Sequence, residues 1–173
     1  VALLYDLGQD SSNAAISQAK EILTAKGMDF ADYTGTTTDE LKLAVDALIA
    51  DGCTAVFTPT HNSVMTAELA IYETLAEAGV AHFAGADSFA LNGALVGYGV
   101  NYIDLGKATA EMVLPLLLGA SPAETPVRTF DNGIATVNTE TCTALGLDYD
   151  TLAAAFAESC SAVNAITTAE SFD

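Results

Sequence analysis

Four polar clusters, set between apolar runs, hold the residues of this 173-residue chain that could do chemistry. The first runs Gln9, Asp10, Ser11, Ser12 and Asn13; the second is Thr36 to Thr38. The third holds Thr58, Thr60, His61, Asn62 and Ser63, and the fourth Asp87 and Ser88. Hydroxyl, amide and carboxylate groups at this density hydrogen-bond a small polar molecule. The helix N-termini expected behind Ser12 and Asn62 add free backbone N–H groups, which favour an anion such as a carboxylate. Taken singly, each residue also serves as a helix cap or turn former. Three such loops converging on one edge make a binding site the better reading.

Catalysis finds little support. No GxSxG elbow precedes His61, so a Ser-His-Asp set would have to be assembled from loop residues. His61 reads as a turn or ligand-contact residue, and His82, inside an apolar run, as a satisfied core or edge histidine. No His/Asp/Glu grouping has metal-ligand spacing. Asp6, Asp10 and Asp87 would meet at strand ends as in an acidic phosphotransfer pocket, but no lysine follows a later strand to complete one. Gly97-Tyr98-Gly99 lacks the third glycine and the helix start of a dinucleotide fingerprint, and no GxxxxGK[ST] occurs. No metal or cofactor is expected.

The elements that must position these clusters alternate. Residues 1–5 read as a buried strand, 12–26 as a helix ended by Gly27, and 28–33 as a second strand. A helix ending at Gly52 follows, then a strand over 53–58, a helix over 64–78 and a strand over 80–84. Asp87 or Ser88 caps a short helical turn ending near Gly93. Strands alternating with helices predict an α/β fold, a three-layer sandwich with a mainly parallel sheet and right-handed crossovers. In such a sheet ligands bind outside the carboxyl ends of the strands, where the four clusters fall.

After Gly93 the texture changes. Residues 95–102 form a short extended segment. Asp104 is expected to cap a helix burying Leu105, Ala108, Met112 and Leu116, which Pro115 kinks or shortens. Residues 128–138 alternate around Asp131-Asn132-Gly133 and predict a hairpin or bulged strand. A short helix over 139–145, an Ala-rich helix over 150–165 and a frayed end over 166–173 complete the reading.

Composition excludes several classes. Hydrophobic residues are 51% and charged residues 16%, which is not the composition of disorder. No apolar run approaches the roughly 20 residues of a membrane span. Five basic against 23 acidic residues leave a net charge of −18; such a surface repels phosphate backbones, so no nucleic-acid partner is expected. Cys53, Cys142 and Cys160 fit neither a zinc site nor a CxxC motif. Cys142 and Cys160, near the end of the chain, are candidates for pairing in an oxidising compartment.

Several stretches carry a family resemblance. They are Leu4-Tyr5 followed by Ser11-Ser12, then Phe57-Thr58-Pro59-Thr60-His61-Asn62, and above all Phe83-Ala84-Gly85-Ala86-Asp87-Ser88. Gly93-Ala94-Leu95, the run from Gly99 to Gly106, Leu118-Gly119 and Pro122 extend the match. Over residues 1 to about 147 the chain resembles the solute-binding proteins of ABC importers, of the tryptophan or aromatic amino-acid type. It departs from their pattern at Gln9-Asp10-Ser11-Ser12 and at His61, where solute would touch.

The resemblance implies a type I periplasmic-binding-protein fold, two flavodoxin-like lobes closing on a solute, with this chain mostly the C-terminal lobe. Residues 1–94 would be the main α/β lobe. Residues 95–125 would be a crossover segment with a helix packing on the first lobe, and residues 126–173 the returning strands and C-terminal helices. The first lobe would precede Val1, which explains a chain that opens on a buried strand. Ser11, Ser12, Thr60, His61, Asn62, Asp87 and Tyr102 would line the ligand site, with Asp87 suited to an amine and Tyr102 to stacking. The implied partners are an amino-acid solute, the first lobe and an ABC permease. The implied setting is extracytoplasmic, in the periplasm or as a lipoprotein on the cell surface, without catalysis. The competing readings are the effector domain of a transcription regulator, which shares the two-lobed fold, and a flavodoxin-like enzyme.

Overall fold

The structure is a computed structural model that describes residues 1–10, 13–129 and 133–171. Five parallel strands come first: β1 (Ala2–Tyr5), β2 (Ala31–Thr34), β3 (Ala55–Thr58), β4 (Ala81–Ala84) and β5 (Val96–Val100). They are joined by α1 (Asn13–Ala25), α2 (Thr38–Ala50), α3 (Asn62–Ala67) with α4 (Tyr72–Glu77), and α5 (Asp87–Leu91). Then follow α6 (Tyr102–Leu117), β6 (Gly133–Asn138), α7 (Thr139–Ala144), α8 (Tyr149–Ala157) and β7 (Ala162–Ile166). The seven strands form one sheet in the order β2-β1-β3-β4-β5-β6-β7. β6 lies antiparallel to β5, and β7 parallel to β6. The α/β sandwich with a mainly parallel sheet expected from the alternation is therefore the observed architecture.

Both faces are covered, as parallel strands require. Ala2, Leu4, Val56 and Ala84 point to one face, where they pack with Leu41, Val45, Leu48, Val64, Ile71, Leu75 and Phe89 of α2 to α5. Leu3, Tyr5 and Phe57 point to the other, against Ile16, Ala19 and Leu23 of α1. There β5 and β6 add Val96, Ala135 and Val137, which pack with Cys142, Leu152 and Phe156 of α7 and α8. Burial at roughly 25 cal/mol per Å² of apolar surface makes this three-layer stacking the main source of stability.

Several elements differ from expectation, each for a local reason. The second strand starts at Ala31 because the Met28 N–H closes back onto the Leu23 carbonyl around Gly27. The helix expected over 64–78 breaks into α3, a 3-10 turn at Glu68–Ala70, and α4. The break turns Glu68 inward, where its carboxylate meets His82 Nδ1 at 2.9 Å. Asn101, not Asp104, caps α6, accepting from the N–H groups of Ile103 and Asp104. Pro115 lies within α6, which ends two residues later. No residue of α6 is buried; Leu105, Ala108, Met112 and Leu116 are only half-covered.

The C-terminal part holds the largest misreading. α8 stops at Ala157, where the Ser159 and Cys160 N–H groups both bond the Phe156 carbonyl. The alanines beyond it belong to β7, an edge strand. Of the end expected to fray, residues 168 and 169 are tied down: the Ala169 N–H bonds the Leu91 carbonyl and the Thr168 N–H bonds Glu140; residues 172–173 lie outside the described residues. The Asp131-Asn132 part of the expected turn lies outside the described residues; the strand behind it pairs with β5 and forms no hairpin of its own. Cys142 and Cys160 join one apolar cluster as free thiols.

Candidate functional site

The carboxyl ends of β1, β3, β4 and β5 lie side by side, so their loops share one rim. The loop after β1 is knitted to that after β3. Asp6, 5% exposed, accepts the Gly8 N–H at 2.7 Å and the Ser63 hydroxyl at 2.7 Å. Gln9 Nε2 bridges them, 2.8 Å from Ser63 Oγ and 3.4 Å from Asp6 Oδ2. The Ser63 hydroxyl, and after it the Gly8 N–H, holds the Asp6 carboxyl below its ordinary value, because hydrogen bonds to the charged form favour it. Asp6 is thus saturated by its own loops, and Asp10 is exposed and bonded to Asn13 at 3.3 Å; no acidic phosphotransfer pocket forms.

His61, expected as a turn or ligand contact, turns its ring inward and is 1% exposed. Its Nδ1 accepts the Asp6 N–H at 3.0 Å. Burial pushes its pKa down, so the ring is neutral at pH 7 and the network assigns its proton to Nε2. Among the described residues Nε2 has no hydrogen-bond partner. His61 therefore props the loops from beneath and does not face the rim.

The remaining expected residues are placed as follows. Thr60 and Asn62 are exposed on the rim. The Thr60 hydroxyl donates to the Gly85 carbonyl at 2.8 Å and ties the β3 and β4 loops together. A Cβ at Gly85 would come within 2.8 Å of the Thr60 nitrogen, so glycine is required by this close approach. Asp87 opens α5, its Oδ1 accepting the Ser88 N–H at 2.9 Å. Asp87 and Tyr102 meet in one trough of about 230 Å³, which Gly99, Asn101, Thr136 and Asn164 also line. Tyr102 is 66% exposed. Ser11 and Ser12 lie outside the described residues. The polar cluster after β2 serves as a cap: Thr37 and Glu40 form a capping box for α2.

Nothing in the sequence pattern marks Asn164 as a strand residue, because it lies in an alanine-rich stretch that reads as helix. The alternation of Gly133 to Asn138 was the one available signal for Thr136. Deeper in the fold, His82 bridges Glu68 Oε1 and Thr58 Oγ1, both at 2.9 Å. The order Thr-His-Glu resembles a catalytic relay, yet Thr58 and Glu68 are 0% exposed, so this packing lets no substrate reach the hydroxyl. Among the described residues no His, Cys, Asp and Glu side chains group as a metal site. No described helix is long and apolar enough to cross a membrane.

The family described as ABC transporter substrate binding protein matches residues 1–159. The chain belongs to that family. Over 147 residues it is 20% identical to a tyrosine-binding protein of Clostridioides difficile (strain R20291), covering 85% of this chain and 42% of the relative. Among solved structures it is similar to the ligand-free, open form of a Clostridium difficile substrate-binding protein with adhesive properties. That match has a TM-score of 0.79 and 24% identity and covers 97% of this chain and 54% of the other. It also resembles a Streptococcus pneumonia ABC domain in complex with L-Trp, with a TM-score of 0.74 and 22% identity, over 94% of this chain and 54% of the other. The chain thus spans about half the length of these proteins. At these identities the structural likeness establishes the fold.

Proposed function

We propose that this chain is the solute-gripping C-terminal lobe of an extracytoplasmic ABC-importer binding protein for an amino acid. The observation that carries the reading is the junction of Asp87 and Tyr102 in one trough on the rim formed by the strand-end loops. A carboxylate there suits the solute's amine, and an exposed aromatic ring suits its side chain. Ser11, Ser12 and Asn62 serve its carboxylate, Thr60 lines the rim with its hydroxyl proton given to the Gly85 carbonyl, and His61 and Asp6 hold the loops in place. Residues 1–94 act as the main lobe, residues 95–125 as the crossover to the first lobe, and residues 126–173 as the return.

The exposed apolar side chains of α6 support a covering lobe: Ile103, Val113, Leu114 and Leu117 have no burying neighbour among the described residues. Closure of two lobes on the solute is the signal an ABC permease reads, and no bond is made or broken. The names of the relatives, which speak of tyrosine and L-Trp, favour an aromatic amino acid. A lipoprotein anchor or a periplasmic setting belongs to the same proposal.

The test is a thermal-shift and calorimetric screen of the complete protein against the L-amino acids. A saturable shift with at least one of them is expected. Asp87→Ala should weaken that ligand by roughly 10- to 100-fold, the value of a charge-assisted hydrogen bond. A complete protein that answers to no amino acid, or an Asp87→Ala variant with full affinity, refutes the reading or the role of Asp87 respectively.

A further inference from the structure

We propose that His61 is a proton-sensing positioning residue: its uncharged Nδ1 latches the loop after β1 to the loop after β3, and a proton on the ring opens the latch and releases the solute. The inference rests on the reading above, that these loops hold a solute, and adds the condition under which they do. His61 stands at the N-cap of α3 but makes no side-chain cap bond to that helix. Its acceptor goes instead to the Asp6 N–H, 3.0 Å away at the end of β1. The other side of the same seam is closed by Ser63 and Gln9, which both donate to the Asp6 carboxylate. Asn62, next to His61, and Ser11 and Ser12, beyond Asp6, belong to the two loops that this seam joins.

A proton on His61 has no place in this arrangement. Protonated imidazole carries a donor on both nitrogens, so Nδ1–H would face the Asp6 N–H, donor against donor. The ring is 1% exposed, and a buried charge without an acceptor is costly. Among the described residues Nε2 has no hydrogen-bond partner. Burial holds the ring below its ordinary 6.5 against the pull of the Asp6 carboxylate and the Gln9 carbonyl, the charge and the dipole that face it. Each Asp6 oxygen is already engaged, Oδ1 by the Gly8 N–H and Oδ2 by the Ser63 hydroxyl. Glu68 and His82, deeper in the fold, are bonded to each other. Acid therefore swings the ring out of its pocket, and Thr60 and Asn62, on either side of it in the chain, move with it. Linkage makes the effect reciprocal: a solute that needs the closed latch binds more weakly as pH falls, and its binding drives the proton off His61.

The experiment is a series between about pH 5 and about pH 7.5, the range in which histidine titrates, on the complete protein as wild type and as His61→Asn. Asparagine offers an acceptor on Cγ, where histidine carries Nδ1, and does not titrate. Calorimetry with L-tyrosine and L-tryptophan should find wild-type affinity falling by roughly tenfold toward acid, one pKa unit of linkage, while His61→Asn changes by less than about twofold. The slope is the readout: a merely structural His61 would alter the variant's affinity and leave its slope alone. Amide exchange of the unliganded complete protein, followed by NMR and corrected for intrinsic rate, needs no solute. Protection of the Asp6 N–H should drop by roughly tenfold as the ring nitrogens of His61 report the proton, and should hold in the variant. The unliganded melting temperature verifies that the variant folds; where it does not, the wild-type exchange series decides alone. Equal slopes in both proteins, a flat wild type, or an Asp6 N–H that stays protected while His61 titrates would overturn the inference and leave an amino-acid binding protein standing. A complete protein that binds no amino acid at any pH removes the underlying reading instead, and the release with it.

Discussion

Asp6 and His61 solve one problem between them. The chain must leave β1 and turn sharply, and two N–H groups there need acceptors; Asp6 Oδ1 takes the Gly8 N–H and His61 Nδ1 takes the Asp6 N–H. Asp6→Asn should destabilise the protein by about 1.5–3 kcal/mol at pH 7, the range for hydrogen bonds to a charged group. Because the folded Asp6 value is depressed, its contribution is present above the ordinary carboxylate value and lost as pH falls through the lower folded one. Denaturant titrations should therefore find the gap between wild type and variant closing in strong acid. His61 is also depressed, by burial, but it is a base. Its contribution is full above the ordinary value of 6.5 and fades as pH drops below it, since the unfolded chain takes the proton first. His61→Gln should flatten that upper step of the stability profile; an equally steep profile in the variant would remove His61 from the account. The place of Asp87 at the rim was legible from its position after a strand end, and that of Tyr102 only through the family resemblance. The inward turn of His61 was not, because it answers to a backbone N–H 55 residues away.

Among the elements, Asn138 joins the most. Its Oδ1 caps α7 through the N–H groups of Glu140 and Thr141, both at 3.0 Å. Its amide reaches the Ala90 carbonyl of α5 at 2.8 Å and Thr168 Oγ1 at 2.9 Å, and it is 0% exposed. Lost capping at about 1 kcal/mol and buried partners left unpaired at about 1–3 kcal/mol predict that Asn138→Ala is destabilised by about 2–4 kcal/mol in urea titration. A loss under 0.5 kcal/mol, the ordinary size for a surface change, would contradict this network. The parallel elements β1 to β5 were readable because helix and strand periods alternate cleanly. β7 was not. Val163 and Ile166 are its only β-branched residues, set among Ala162, Asn164 and Ala165, and what makes the segment a strand is the edge of β6 beside it. Strand preference of that kind comes from the neighbour more than from the residue.

At the scale of the molecule, one helix stands apart. The apolar side chains Leu114 and Leu117 on α6 are exposed, Leu117 to 78%, so little in this chain holds their face. Leu117→Asp should leave the melting temperature of the isolated 173-residue chain nearly unchanged. In the complete protein, where the proposed first lobe covers α6, the same change should lower stability by about 2–5 kcal/mol, as for loss of a buried leucine. Equal responses in both forms would exclude that packing. The net charge of −18 works at this scale too: self-repulsion weakens the compact state and salt screens it.

The amino-acid order alone determined the alternating α/β plan, the parallel sheet and the edge that gathers the polar loops, because these follow from local periodicity and from the handedness of the chain. Only the tertiary structure decided that His61 faces inward, that Glu68 breaks a helix to reach His82, and that β6 and β7 carry the sheet past Asp87 to Thr136 and Asn164. Each of those outcomes is a pairing between groups far apart in sequence, set by burial and by hydrogen bonds that no local pattern encodes.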